Sequence, residues 1–170
     1  AKANYDFIEE TFANPAQECS VIITAKNGVD DVLNEEHFNI LWDIQEATKE
    51  VTVEFTGDKK TYNYTDLCFR DPMGYCKEVG ALGFWSFNKY DFDSSSSDIL
   101  TDLAIDTYPR DGTPVIYNPY SFGKITLDGN EDITGAKAMK MSFFLKNPKD
   151  TCVDEYDCAE LEWQTEWIAK

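Results

Sequence analysis

Residues 62–85, YNYTDLCFRDPMGYCKEVGALGFW, set the reading of the rest of the chain. Cys68 and Cys76 enclose a loop that contains Pro72 and Gly74, residue types that close turns. Asn63-Tyr64-Thr65, just upstream, is an N-glycosylation acceptor, and an aromatic, apolar run from Leu82 to Trp85 follows. A short cysteine-bounded loop beside such an acceptor points to an oxidising, secretory-side compartment.

The chain has five cysteines. Nearest-neighbour spacing in turn-rich segments pairs Cys68 with Cys76, and Cys152 with Cys158 in TCVDEYDC. Each closure stabilises by roughly 2–3 kcal/mol in the chain-entropy model. Cys19 is left over. In CSVIITA it alternates in phase with Val21, Ile23 and Ala25, which predicts a buried thiol. A bridge from Cys19 to another segment or a second chain is the alternative. Zinc is the rival use of all five cysteines, but there is no C-x-x-C and the one histidine is His37.

Length and charge narrow the classes. A chain of 170 residues with 42% hydrophobic and 14% aromatic residues suits a single folded domain, 1–170. The net charge of −17 opposes nucleic acid and anionic membrane surfaces as partners, because phosphates would be repelled. No apolar run approaches the ~20 residues of a membrane helix.

Working outward, residues 2–13 carry a helical stripe at Tyr5, Ile8 and Phe12. Cys19 to Ala25 reads as a strand. Asn34 caps a helix from Glu35 to about Lys49, with Phe38, Leu41 and Trp42 inward, extended by Ile44. VTVEFT, 51–56, alternates as a strand, and Lys60 to Tyr64 pairs back on it. A short helix near Ser97 carries Ile99, Leu100 and Leu103. Ile125 to Leu127 is a short strand. Residues 133–146 read as one long strand with Met139, Met141, Phe143 and Leu145 on one face. The last segment, from about Asp154, is a helix with Tyr156, Ala159, Trp163 and Trp167 on an aromatic face.

The order strand, helix, strand, insertion, strand, helix predicts an α+β fold. Its form is a ferredoxin-like split βαβ unit: an antiparallel sheet with helices on one face and a large disulfide-containing insertion. The core is 19–64 and 124–170, and the insertion 65–123.

Three segments carry a resemblance. Tyr62, Tyr64, Asp66, Leu67, Cys68, Cys76, Leu82, Phe84 and Trp85 resemble a strand, "Y-x-D-L-C" turn and apolar helix. That pattern belongs to the luminal and extracellular domains of Patched, Niemann–Pick type C and related sterol-sensing transporters. SVIITAKNG, a helix and VTVEFTG are similar to that family's opening strand-helix-strand. GAKAMKMSFFLKN and a helix bearing Glu162-Trp163 are similar to its later strand and helix. The resemblance implies a porter-type extracellular or luminal domain of a resistance-nodulation-division (RND) membrane protein. It implies lipid or sterol transport, a further strand after the last helix, and the membrane portion of the same polypeptide as partner. A protein or lipid ligand would dock, and the open sheet edge would be filled by an upstream segment or a neighbouring chain. The alternative is a free-standing secreted acidic module binding calcium, a metal or carbohydrate.

Nothing in the sequence assembles a catalytic site. G-x-S-x-G, H-E-x-x-H and G-x-G-x-x-G are absent, and His37 reads as a surface or capping histidine. No enzyme activity, cofactor or metal is expected. The acidic sets at Asp91, Asp93 and Asp98, at Asp128, Glu131 and Asp132, and at Asp150, Asp154, Glu155 and Asp157 do not fit the calcium-loop pattern. The candidate partner surface is aromatic: Phe87, Tyr90 and Phe92 beside a serine stretch, then Tyr117, Tyr120 and Phe122.

Overall fold

A computed structural model describes residues 16–26, 31–55, 60–95, 98–105, 121–130, 132–146 and 155–169. The helix expected over 2–13, Tyr117, Tyr120 and Cys152 lie outside these residues.

In chain order the elements are β1 (Gln17–Thr24), α1 (Glu35–Glu50), β2 (Thr52–Phe55), β3 (Lys60–Asn63) and the single turn α2 (Tyr64–Leu67). There follow β4 (Glu78–Gly80), a 3₁₀ segment (Ala81–Trp85), α3 (Lys89–Asp93) and α4 (Ile99–Ile105). Last come β5 (Phe122–Gly123), β6 (Thr126–Leu127), β7 (Ile133–Gly135), β8 (Ala138–Leu145) and α5 (Glu155–Ala169). The fold is mixed α/β. The sheet order is β1-β8-β4, with β5 also on β8, and β2–β3 and β6–β7 form separate two-stranded sheets. β5–β8, β2–β3 and β6–β7 are antiparallel.

Two compact units divide the chain. One unit takes the described residues of Ala1–Cys19, Glu46–Lys77 and Phe143–Lys170. Its hairpin sets Val53 opposite Tyr62, both buried, and α5 packs on β2. The expected aromatic face of α5 is present: Ala159 and Trp163 are fully buried and Trp167 is half-buried. The Trp163 ring lies 6.0 Å from Trp167 and 5.7 Å from Tyr64, and Tyr64 meets Phe143 edge-on at 5.6 Å. Trp163 Nε1 donates to the Val51 carbonyl at 3.1 Å, and Trp167 Nε1 to Thr48 Oγ1 at 2.9 Å. These polar tips are therefore satisfied inside an apolar layer.

The other unit takes the described residues of Ser20–Gln45 and Glu78–Ser142. Asn34 caps α1 as expected, its Oδ1 accepting from the His37 amide at 3.1 Å. Phe38, Leu41 and Trp42 are buried and Ile44 is half-buried. Every residue of the 3₁₀ segment is buried. Phe38, Trp85 and Phe92 form one aromatic cluster, with centroids 4.9 Å (Trp85–Phe92), 5.1 Å (Phe38–Trp85) and 6.0 Å (Phe38–Phe92) apart.

One expected element divides. The strand expected over 133–146 becomes β7 and β8, interrupted at Ala136 and Lys137. At the break, the Ala136 amide donates to Asp31 Oδ1 at 3.0 Å and the Ala136 carbonyl accepts from Val32 at 3.0 Å. Lys137 donates to the Gly123 carbonyl at 3.0 Å and accepts from Ala25 at 2.9 Å. The backbone groups that a continuous ladder would use are thus engaged by Asp31, Val32, Ala25 and Gly123 of β5.

Candidate functional site

The turn that carries the sequence motif is built from local chemistry. β3 ends at Asn63, which caps α2 through a capping box: Asn63 Oδ1 accepts from the Asp66 amide, and Asp66 Oδ2 accepts from the Asn63 amide at 3.0 Å. One turn later the buried Cys68 bridges to Leu145 of β8. Phe69 donates to the Phe144 carbonyl at 2.8 Å, and Lys146 to that of Leu67 at 3.1 Å.

Beyond this anchor the chain doubles back. Arg70 faces Cys76 as an antiparallel bridge, and the expected Cys68–Cys76 disulfide closes the base with Cα atoms 5.4 Å apart. Asp71 organises the tip. Its Oδ1 accepts from the amides of Met73 and Tyr75, each at 2.9 Å, and its carbonyl from Gly74 at 3.0 Å. Gly74 has φ +91°, a left-handed conformation that costs glycine little. The Arg70 guanidinium braces the loop from beneath, donating to the carbonyls of Gly74 and Thr65, each at 2.6 Å.

This bracing holds two large side chains out in water: Met73 is 74% and Tyr75 69% exposed. The segment that forms the loop carries no net charge. Across Asp66–Lys77, Arg70 and Lys77 balance Asp66 and Asp71, in a chain of net charge −17. Lys77 Nζ lies over the rings of Phe144 and Phe69, at 4.9 and 5.9 Å from their centroids. Tyr and Met are enriched in protein interfaces, and a rigid loop loses little entropy on docking.

Of the aromatic residues expected at a partner surface, Phe92 and Phe122 are buried. Phe92 stacks within the Phe38–Trp85 cluster, and Phe122 packs 5.9 Å from Phe84. Phe87 is half-buried, and Tyr90 is 75% exposed at the start of α3. Met73 and Tyr75 did not figure in that expected surface. Their signal in the sequence is their place inside a Cys-Pro-Gly-Cys loop, which removes them from any core.

A cleft of about 460 Å³ lies in the second unit, floored by Leu33, Phe92, Ile99 and Leu100. Three of its carboxylates, those of Asp93, Asp98 and Asp102, already have partners. Asp98 caps α4, accepting from the Thr101 amide at 3.0 Å, a bond that holds its carboxyl below the usual range. Asp102 accepts from Trp85 Nε1 at 3.2 Å and Ser95 Oγ at 2.6 Å, and Asp93 pairs with Lys89 at 2.8 Å. No group of three or more His, Cys, Asp or Glu among the described residues is arranged to hold a metal.

His37 Nδ1 lies 2.8 Å from Asn34 Oδ1, which places it in the cap of α1. Cys19 is a free, half-buried thiol, pushed up to about 11 by burial first and then by Glu160 and Glu18, so it stays protonated at neutral pH.

Replacing Cys68 and Cys76 together by alanine should lower stability by roughly 2–3 kcal/mol, the loop-closure contribution. Chemical denaturation checks this, and a change under about 1 kcal/mol would mean the hydrogen bonds alone hold the loop.

No family model and no curated protein matches this chain.

Proposed function

We propose that the chain is part of the extracellular or luminal side of a Patched/Niemann–Pick-type, sterol-sensing RND permease. In this reading it has a split βαβ, porter-type core and performs no catalysis. The Cys68–Cys76 loop is the surface on which a protein partner docks during lipid or sterol transfer.

One observation carries the reading. Parts of the three stretches that resemble the family separately in sequence lie in one unit, where Trp163 of the third donates to the Val51 carbonyl of the second at 3.1 Å. The Tyr64–Cys68 turn pairs its backbone with the Phe143–Lys146 end of β8 through the Phe69–Phe144 and Lys146–Leu67 bonds. Lys146 Nζ also donates to the Asp66 carbonyl at 2.6 Å. Trp163 of the third stretch packs on Tyr64 of the first. A motif-by-motif likeness arising by chance has no reason to fold into a single neighbourhood.

The test has two arms. The transcript that encodes this segment should also encode apolar stretches of about 20 residues flanking it. In cells expressing that full-length protein, changing Met73 and Tyr75 together to serine should lower sterol transfer by about tenfold, the loss of ~1.4 kcal/mol of docking energy. The melting temperature should not change, because neither side chain is packed. A transcript without membrane spans removes the transporter reading. Full transport by the double variant removes the loop as the docking surface.

A further inference from the structure

We propose that Asn63 carries an N-linked glycan, and that its side chain keeps capping α2 after modification. The inference rests on the secretory-side placement in the reading above, and on geometry that the acceptor motif alone does not reveal.

The two ends of the Asn63 amide do separate work. Oδ1 is fully engaged: it accepts from the Asp66 amide at 3.2 Å and from the Thr65 hydroxyl at 2.6 Å. The Asn63 backbone amide donates to Asp66 Oδ2 at 3.0 Å, which closes the box. Nδ2 takes part in none of these bonds. Glycan transfer uses Nδ2 alone. The nitrogen displaces a polyprenyl pyrophosphate from C1 of the lipid-linked oligosaccharide. The N–C1 bond forms, the C1–O bond breaks, and one amide proton is lost. The product keeps its carbonyl oxygen and one N–H. Every hydrogen bond that the cap needs therefore survives the reaction.

The setting also suits a bulky, hydrophilic substituent. Asn63 is half-exposed at the end of β3, and Thr61, Thr65 and Asp66 around it are exposed. The intervening Tyr64 is fully buried and so fixes which way the turn faces.

This arrangement differs from an acceptor that merely sits on a loop. An asparagine whose Nδ2 donated to a buried carbonyl, or one buried beside its tyrosine, would have to leave its place to be modified. Asn63 does not.

The experiment uses the full coding sequence expressed in a eukaryotic secretory cell, in three forms. Wild type should carry a glycan at Asn63 by peptide mapping before and after peptide N-glycosidase. Thr65→Val should carry none, because the acceptor is lost while the Asn63 cap remains. Asn63→Ala should carry none and lose the cap. In denaturant, glycosylated wild type should unfold at or slightly above the midpoint of Thr65→Val, which loses the hydroxyl bond to Asn63 Oδ1 but keeps the Asp66 bond, and Asn63→Ala at a lower one. An unmodified Asn63 in protein whose Cys68–Cys76 bond has formed overturns the site. A glycosylated wild type that unfolds as early as Asn63→Ala overturns the retained cap. A glycan found on a protein without membrane spans leaves this inference standing while removing the transporter reading. Spans with an unmodified Asn63 do the reverse.

Discussion

Trp163→Ala should lower the unfolding free energy by ~3–5 kcal/mol, the range for large aromatic truncations in a packed core. Trp163 has no exposed surface, stacks on Trp167 at an interplanar angle of 13° and leans on Tyr64. Truncation leaves a ring-sized void on α5 and strips the Val51 carbonyl of its donor. An unsatisfied buried acceptor adds about 1–3 kcal/mol by itself. Trp163→Phe separates the two contributions, because it keeps most of the ring and loses only the indole N–H. Urea denaturation measures both variants. A loss below about 1 kcal/mol for Trp163→Ala would mean that this face of α5 is not core.

Gly80→Ala should be comparably damaging in the other unit, by about 3 kcal/mol or more, since backbone strain and overpacking add. Gly80 has φ +147° and ψ −162°, a region that side chains avoid. A Cβ there would sit 2.8 Å from Met141 Cα and press on the Lys140 carbonyl oxygen. Neither obstacle is a side chain that can swing aside, so β4 would have to leave β8. Two controls bracket the effect. Gly74→Ala meets nothing within 4 Å but must hold φ +91°, and should cost about 1–2 kcal/mol. Gly129→Ala meets nothing and has no such φ, and should be near neutral. Hydrogen exchange at the β8 amides reads the series directly. Unchanged protection in Gly80→Ala would refute the close approach.

Where local chemistry decides, the sequence is legible. Asn34 followed by Glu35, Glu36 and 3–4 spaced apolar residues yields α1 at its observed start. Met139, Met141, Phe143 and Leu145 alternate, and all four are fully buried. The Cys68–Cys76 pair follows from spacing around a turn. Where distant residues decide, the sequence falls silent. The break between β7 and β8 depends on Asp31, which lies 105 positions from Ala136, and nothing near Ala136 signals it. The separate β2–β3 sheet is also tertiary, because alternation predicts a strand and its faces but not its neighbours. Phe92 misleads because it stands among Tyr90, Asp91, Asp93 and a serine stretch, all of which suggest surface. Its ring is drawn inward by Phe38, Trp42 and Trp85, which lie far from it in sequence or on another element.

The charge balance around the disulfide loop has a kinetic meaning. At physiological salt the field of a charged surface fades over about 8 Å. An acidic partner approaching this chain feels repulsion while still diffusing, and almost none once it touches Met73 and Tyr75. Ionic strength then acts on the rate of encounter and leaves the lifetime of the docked pair nearly untouched.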